Sequence, residues 1–291
     1  MSRQADSESL RTPLDASAIN SDQFAAPGPI QKGHSPVDSS VQDGSGTAAV
    51  KRHYATLLAE HYSWMCGDLE LRVAETVRFF EGIGIQRRDG RALDLGCGSG
   101  IQSLALSELG YAVTAVDFNA RLLDELHARA SDRRIQTIEA DLTTIGQHRD
   151  LPCPFEVVVC MGDTLTHLPS MAAVERLIEY AASVLADDGR LVLGLRDLTG
   201  ELIGIDRALP VRLEENRIML TFLEYHPEFV QVHDMVLQRD GSEWRLSKSA
   251  YPKLRIPIDH LQGLLQSHDL VIDGVSNERG MYHLVAHQRL Q

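Results

Sequence analysis

One stretch limits this chain more than any other: Asp94-Leu95-Gly96-Cys97-Gly98-Ser99-Gly100, set between an apolar run at 91–95 and a helical pattern over 101–109. Glycines recur at every second position where a strand gives way to a helix. A side chain there would hold a ligand away from the backbone. The N-terminus of the following helix offers free N–H groups to polar or anionic ligand atoms. The stretch therefore predicts a nucleotide-type site. Two common fingerprints fail at single positions. G-x-G-x-x-G counted from Gly96 needs a small residue at 101, where Ile101 stands and blocks close helix–strand packing. A phosphate loop needs Gly-Lys-Ser/Thr, and no lysine follows. An NAD-linked oxidoreductase is thus the weakest reading carried forward.

The rest of the chain supplies a frame for such a loop. Helical spacing predicts helices over 50–64 and 68–83. Strands at 91–95, 112–116, 135–139, 155–160 and 191–195 alternate with helices at 101–109, 120–130 and 171–185. That order predicts a Rossmann-like, doubly wound α/β sheet with helices on both faces. The rhythm then breaks. Three strands at 218–225, 229–238 and 244–251 form an antiparallel excursion over about 211–254, with Asp240-Gly241 as a hairpin signal. A helix at 258–268 and strands at 269–275 and 281–288 return to the α/β pattern, the last strand antiparallel. Residues 1–48 are rich in Ser, Asp, Ala, Gly and Pro and read as a disordered tail. The domain proper is expected over 49–291.

The loop resembles motif I of class I S-adenosylmethionine (SAM)-dependent methyltransferases, and further features follow in that family's order. Asp117, closing Val113-Thr114-Ala115-Val116-Asp117-Phe118-Asn119, stands where the family places its acidic ribose ligand; the competing role is a cap for helix 120–130, for which Asn119 also competes. Asp141, before Leu142, matches the acidic position that meets the adenine amino group; an ordinary turn is the alternative. Phe155–Asp163 resembles the fourth-strand motif and Asp187–Leu191 the turn into strand five. The resemblance implies SAM as the cofactor. It implies cofactor contacts from Asp94, Gly96, Cys97, Gly98, Gly100, Asp117, Phe118, Asp141, Leu142 and Met161. Tyr62, on a helix that covers the cofactor in this family, is the expected lid contact, with plain core packing as its alternative.

The methyl acceptor is less legible. SAM is already an activated electrophile, so positioning supplies much of the rate and a base is needed only for a protonated nucleophile. Met161–Leu168 follows strand four, nearest the methyl in this family. His167 has the ordinary range of a base, against a structural histidine beside Leu168. Asp163 either holds an amine or caps a turn. Arg196 is a candidate grip for a substrate carboxylate, and Tyr225 and His226 are candidates in the excursion. The excursion itself walls off substrate, joins subunits, or is scaffold.

Bulk properties narrow the partners. The formal net charge is −13, which disfavours phosphate backbones, so a nucleic-acid substrate is not expected. No apolar run approaches the roughly 20 residues of a membrane span. The four cysteines form neither a zinc spacing nor a disulfide framework, and the histidines form no metal motif. No metal and a cytoplasmic setting are expected, with a homodimer as an open option. The leading reading is methyl transfer to a small molecule, nitrogen favoured over oxygen or sulfur. The alternatives are a SAM-binding regulator or inactive paralogue, and a protein methyltransferase.

Overall fold

The computed structural model describes residues 45–130, 133–148, 151–278 and 280–289. Most of the tail expected over 1–48 lies outside them; its last residues are helical. Helix α1 (Ser45–His53) runs through a π-helical turn (Tyr54–Leu58) into α2 (Ala59–Cys66), and α3 (Leu69–Gly82) follows. The Asp68 side chain caps α3 by accepting from Leu71 N at 2.9 Å.

The central sheet has seven strands: β1 (Arg91–Leu95), β2 (Ala112–Asp117), β3 (Ile135–Glu139), β4 (Phe155–Cys160), β5 (Leu185–Arg196), β10 (Leu270–Glu278) and β11 (Met281–Gln288). Their order is β10-β11-β5-β4-β1-β2-β3. β1 to β5 are parallel, and β11 inserts antiparallel between β5 and β10. The Rossmann-like sheet and its antiparallel last strand are as the pattern predicts. β5 begins earlier than the pattern suggests, because Leu185 already pairs with Phe155 before a register shift absorbs Asp187-Asp188-Gly189.

Strand alternation decides which helices cover which face. Leu93, Leu95 and Val158 pack with α6 (Met171–Val184) and α7 (Ile258–Ser267). Ala92, Val157 and Val159 pack with α3, α4 (Ile101–Glu108) and α5 (Ala120–Arg129). β1 lies between β2 and β4, so the chain leaves its carboxyl end toward one side and later returns to the other. That is the topological switch point at which doubly wound sheets bind ligands.

A second sheet has four antiparallel strands rather than three: β6 (Ala208–Glu214), β7 (Arg217–Tyr225), β8 (Phe229–Asp240) and β9 (Glu243–Leu254). β6 escapes periodicity because it is an exposed edge strand containing Pro210, with no buried alternation to reveal it. One face of this sheet, through Met219, Val232, Val236 and Tyr251, packs on Val50, Tyr54, Leu57 and Leu58. The excursion and the N-terminal helices thus form one layer over the carboxyl ends of the parallel strands. No helix among the described residues is long and apolar enough to cross a membrane.

Gly100 fixes how α4 and α5 meet. It caps α4 with φ of +93°, and a Cβ there would fall 2.2 Å from Leu126 Cδ1. Gly100→Ala therefore combines a left-handed strain of about 1–2 kcal/mol with an overpacking cost of similar size. Urea unfolding should show a loss of at least about 2 kcal/mol; an unchanged midpoint would show that Leu126 yields freely.

Candidate active site

The loop after β1 is held by its neighbour strand. Gly96 N and Cys97 N both donate to Val116 O, at 2.8 and 3.0 Å. Gly98 N donates to Asp117 Oδ2 at 2.9 Å, and Asn119 N to Asp117 Oδ1 at 2.9 Å. Asn119, not Asp117, caps α5, accepting from Leu122 N at 3.2 Å. Asp117 is buried, and burial pushes its carboxyl above the usual range, only partly countered by the N–H groups of Asn119, Gly98 and Phe118. Each of its oxygens takes one backbone donor and keeps lone pairs for further donors.

Tyr62, Gly96, Gly98, Asp117, Phe118, Asp141 and Leu142 all line one cleft enclosing about 600 Å³, part of it open to solvent. The structure does not bring the other expected contacts to its wall. Asp94 faces α4 and accepts from Ser103 Oγ at 2.6 Å; burial pushes its carboxyl to about 7. Cys97 is buried behind the loop, Gly100 is backed by Leu126, and Met161 lies under Gly194.

The cleft has a roof that the motifs do not announce. Thr47, Val50, Lys51 and Tyr54 reach it from α1 and the π-turn. Lys51 Nζ lies 2.7 Å from Asp141 Oδ2 and 5.9 Å from the Phe118 ring centre. Asp141 Oδ1 accepts from Thr143 N and Thr143 Oγ1 at 2.8 and 2.7 Å. Burial pulls the Asp141 carboxyl upward, but Lys51 and Thr143 outweigh it and hold it below the usual range. Asp141 is thus both the turn residue and a cleft wall.

Two candidates stand toward the far end of the cleft, His167 in its wall and Asp163 buried behind it. Asp163 is not an available carboxylate. It is buried at φ +73°, its Oδ1 accepts from Arg196 N at 2.6 Å, and its Oδ2 accepts from Arg196 Nη1 at 2.7 Å and Lys253 Nζ at 3.0 Å. Burial opposes ionisation, but Lys253 and Arg196 prevail and hold the group well below the carboxylate range. His167 lines the cleft between Tyr54 and Tyr251, ring centres 5.9 and 5.5 Å away. Burial and the nearby Lys253 charge push its imidazole down to about 3, outside the range of a base at neutral pH. Its Nε2 is buried with no partner among the described residues. Arg196 bonds Asp163 through its backbone N and Nη1, with its side chain half exposed. Tyr225 and His226 do not line the cleft: Arg255 packs 5.7 Å from the Tyr225 ring and donates to His226 O at 2.8 Å, and His226 stacks on Phe229.

Residues 92–189 match the family described as Methyltransferase domain. Glycine N-methyltransferase from Oryctolagus cuniculus is 29% identical over 147 residues, 45% of this chain and 49% of that protein. A ubiquinone biosynthesis O-methyltransferase from Xylella fastidiosa is 39% identical over 107 residues, 35% of this chain and 39% of its own length. The chain carries a class I SAM-dependent methyltransferase domain. It spans about half the length, or less, of these curated relatives. Among solved structures, the CcbJ methyltransferase from Streptomyces caelestis shares the fold with a TM-score of 0.66 at 19% identity, over 81% of this chain and 97% of that one. SAM-bound CalS10, an amino pentose methyltransferase from Micromonospora echinaspora, does so with a TM-score of 0.64 at 18% identity, over 79% and 96%.

The donor set of this methyltransferase domain fits its cofactor. Asp117 has lone pairs for two hydroxyls, and neither Gly96 nor Gly98 has room for a side chain: a Cβ on Gly96 would run into Thr164, and Tyr62 Oη would lie 2.8 Å from a Cβ on Gly98. Aromatic rings and two carboxylates suit a cationic adenosyl group. Sequence reasoning missed Lys51 and Lys253. Lys253 stands 90 residues from Asp163, so only tertiary structure pairs them.

Two measurements check these assignments. Asp163→Asn leaves Lys253 and Arg196 without their counter-charge, and should cost about 3 kcal/mol, less if the half-exposed Arg196 relaxes into water. Because its folded-state pKa is depressed, the stability Asp163 contributes is complete above the unfolded value near 4 and fades as pH falls below it. Asp94 has the opposite sign. Its raised pKa makes the folded state hold the proton longer, so its contribution to stability declines as pH rises from about 4 to 7. Asp94→Asn should flatten the Tm profile across that interval, and an unaltered slope would assign it to other groups.

Proposed function

We propose that this protein transfers the methyl group of SAM to a small-molecule acceptor, with nitrogen favoured over oxygen or sulfur. One observation supports the choice of atom: among the described residues, neither His167 in the cleft wall nor Asp163 behind it is held in a range that takes up a proton near neutral pH. His167 is pushed down to about 3 and Asp163 is locked between two cations. An amine that arrives neutral attacks through its own lone pair and gives up its proton to water afterwards. An alcohol would need a base in the transition state. When bound, SAM supplies an activated methyl and leaves as a neutral thioether.

The chain's residues then have defined work. Asp117 would accept from the ribose hydroxyls. Asp141 and Leu142 would face the adenine edge, and Tyr62 would close over the glycines. His167, as a neutral imidazole with an unpartnered Nε2, would orient the acceptor by a hydrogen bond rather than remove its proton. The roof from α1 and the π-turn would exclude water. The names of the glycine N-methyltransferase and amino pentose methyltransferase relatives support an amine; the O-methyltransferase relative makes oxygen the second reading.

SAM should raise the melting temperature and NADH should not. Asp117→Ala should weaken SAM binding at least about 100-fold, the low end for two hydrogen bonds to a charged group. Incubation with methyl-labelled SAM and a metabolite extract, followed by product mass, should give a methylated amine. A methyl ether would move the reading to oxygen. Binding without any methyl release would leave a SAM-binding regulator instead.

A further inference from the structure

The β6–β9 sheet has two apolar faces, and the described residues cover only one. Met219 and Val236 point toward α1 and the π-turn, so their strand neighbours point away. On the outward side Leu213 pairs with Ile218, Ile218 with Leu237, and Leu237 with Leu246. One apolar row therefore crosses all four strands. The next row joins Pro210, Leu220 and Met235 and ends at Lys248. Leu213 and Leu246, the outer members of the first row, are 61% and 54% exposed. Of the exposed large apolar side chains on the four strands, Leu213, Trp244 and Leu246 lie on this outward side by register. Ile203 and Ile205 belong to the segment entering β6, whose Arg207 lies 4.7 Å over the outward ring of Phe222.

We propose that this outward face is the interface of a homodimer, packed sheet against sheet on a second copy of the chain. Three observations select that occupant. The apolar row runs across all four strands, and sheet faces pack on sheet faces about 10 Å away. A two-fold axis brings the same face from a second copy, so the apolar row meets its own reverse. Charge also selects it. The chain carries −13, so two copies repel over most of their surface, whereas six basic and seven acidic residues nearly balance between Ala208 and Leu254. Area is adequate. Three same-face rows on four strands span roughly 20 by 20 Å. With the Leu202–Ile205 segment and Trp244 they approach the order of 800 Å² per partner that a standard interface buries. A monomer rarely leaves so continuous an apolar patch in water.

Light scattering after size exclusion tests this on the full chain. The expected result is a two-chain mass at micromolar concentration. The double variant L213E/L246E should give a one-chain mass, while L71E, at an exposed leucine on α3, should keep two. The SAM-induced melting shift, measured on each variant, shows that the fold and cofactor site survive, and it separates failure here from failure of the methyl-transfer reading. A one-chain mass for the unaltered protein overturns the proposal, whether its own residues 1–44 or another protein covers the face. So does a double variant that remains dimeric.

Discussion

A single carbonyl oxygen organises the site. Val116 O accepts from both Gly96 and Cys97, which bends the chain as it leaves β1. The next residue, Asp117, then reaches Gly98 N with its side chain. The loop is thus pinned to β2 by three donors within three residues. The pinning works only because β1 lies between β2 and β4, so that the loop opens into the crevice between diverging crossovers. The roof, the acidic walls and the far end of the cleft are all placed relative to that bend.

The far end has a different logic. Burying Asp163 is tolerated because two cations from separate elements meet it, Arg196 from the core sheet and Lys253 from the second sheet. The ion pair is therefore also a joint between the two sheets. It spends the carboxylate that seemed free for chemistry, and the Lys253 charge helps keep His167 neutral. Among the described residues there, neither Asp163 nor His167 is held in a range that takes up a proton near neutral pH. Such surroundings suit an acceptor whose nucleophile is already unprotonated.

The parallel sheet was legible because β1, β2 and β4 are buried on both faces and the turns carry glycines. Motif I and the acids after β2 and β3 were legible because backbone geometry forces small and acidic residues into short, ordered stretches. Position alone does not separate residues of the cleft wall from Asp94, Cys97, Gly100 and Met161, which stand behind the loop. The surroundings of Asp163 and His167 were not legible for another reason: a side chain's ordinary pKa says nothing of Lys253, which sequence places 90 residues away. β6 was invisible since an exposed edge strand has no apolar alternation to read. The roof was half visible; helical spacing gave the helix, but not the π-turn that decides where its residues point.

That turn has a geometric consequence. In a regular helix successive residues step by about 100°, so Thr47, Val50, Lys51 and Tyr54 share a face, while Tyr62 would sit some 80° around from Tyr54. A π-turn accommodates one extra residue, which brings Tyr62 back to within about 20° of the same line. Both ends of the roof therefore address one cleft. The reading frame of the helix, rather than any side chain at 55–58, carries this alignment. Deleting one residue there would rotate Tyr62 off the glycine loop and leave an intact helix pointing at the wrong neighbour.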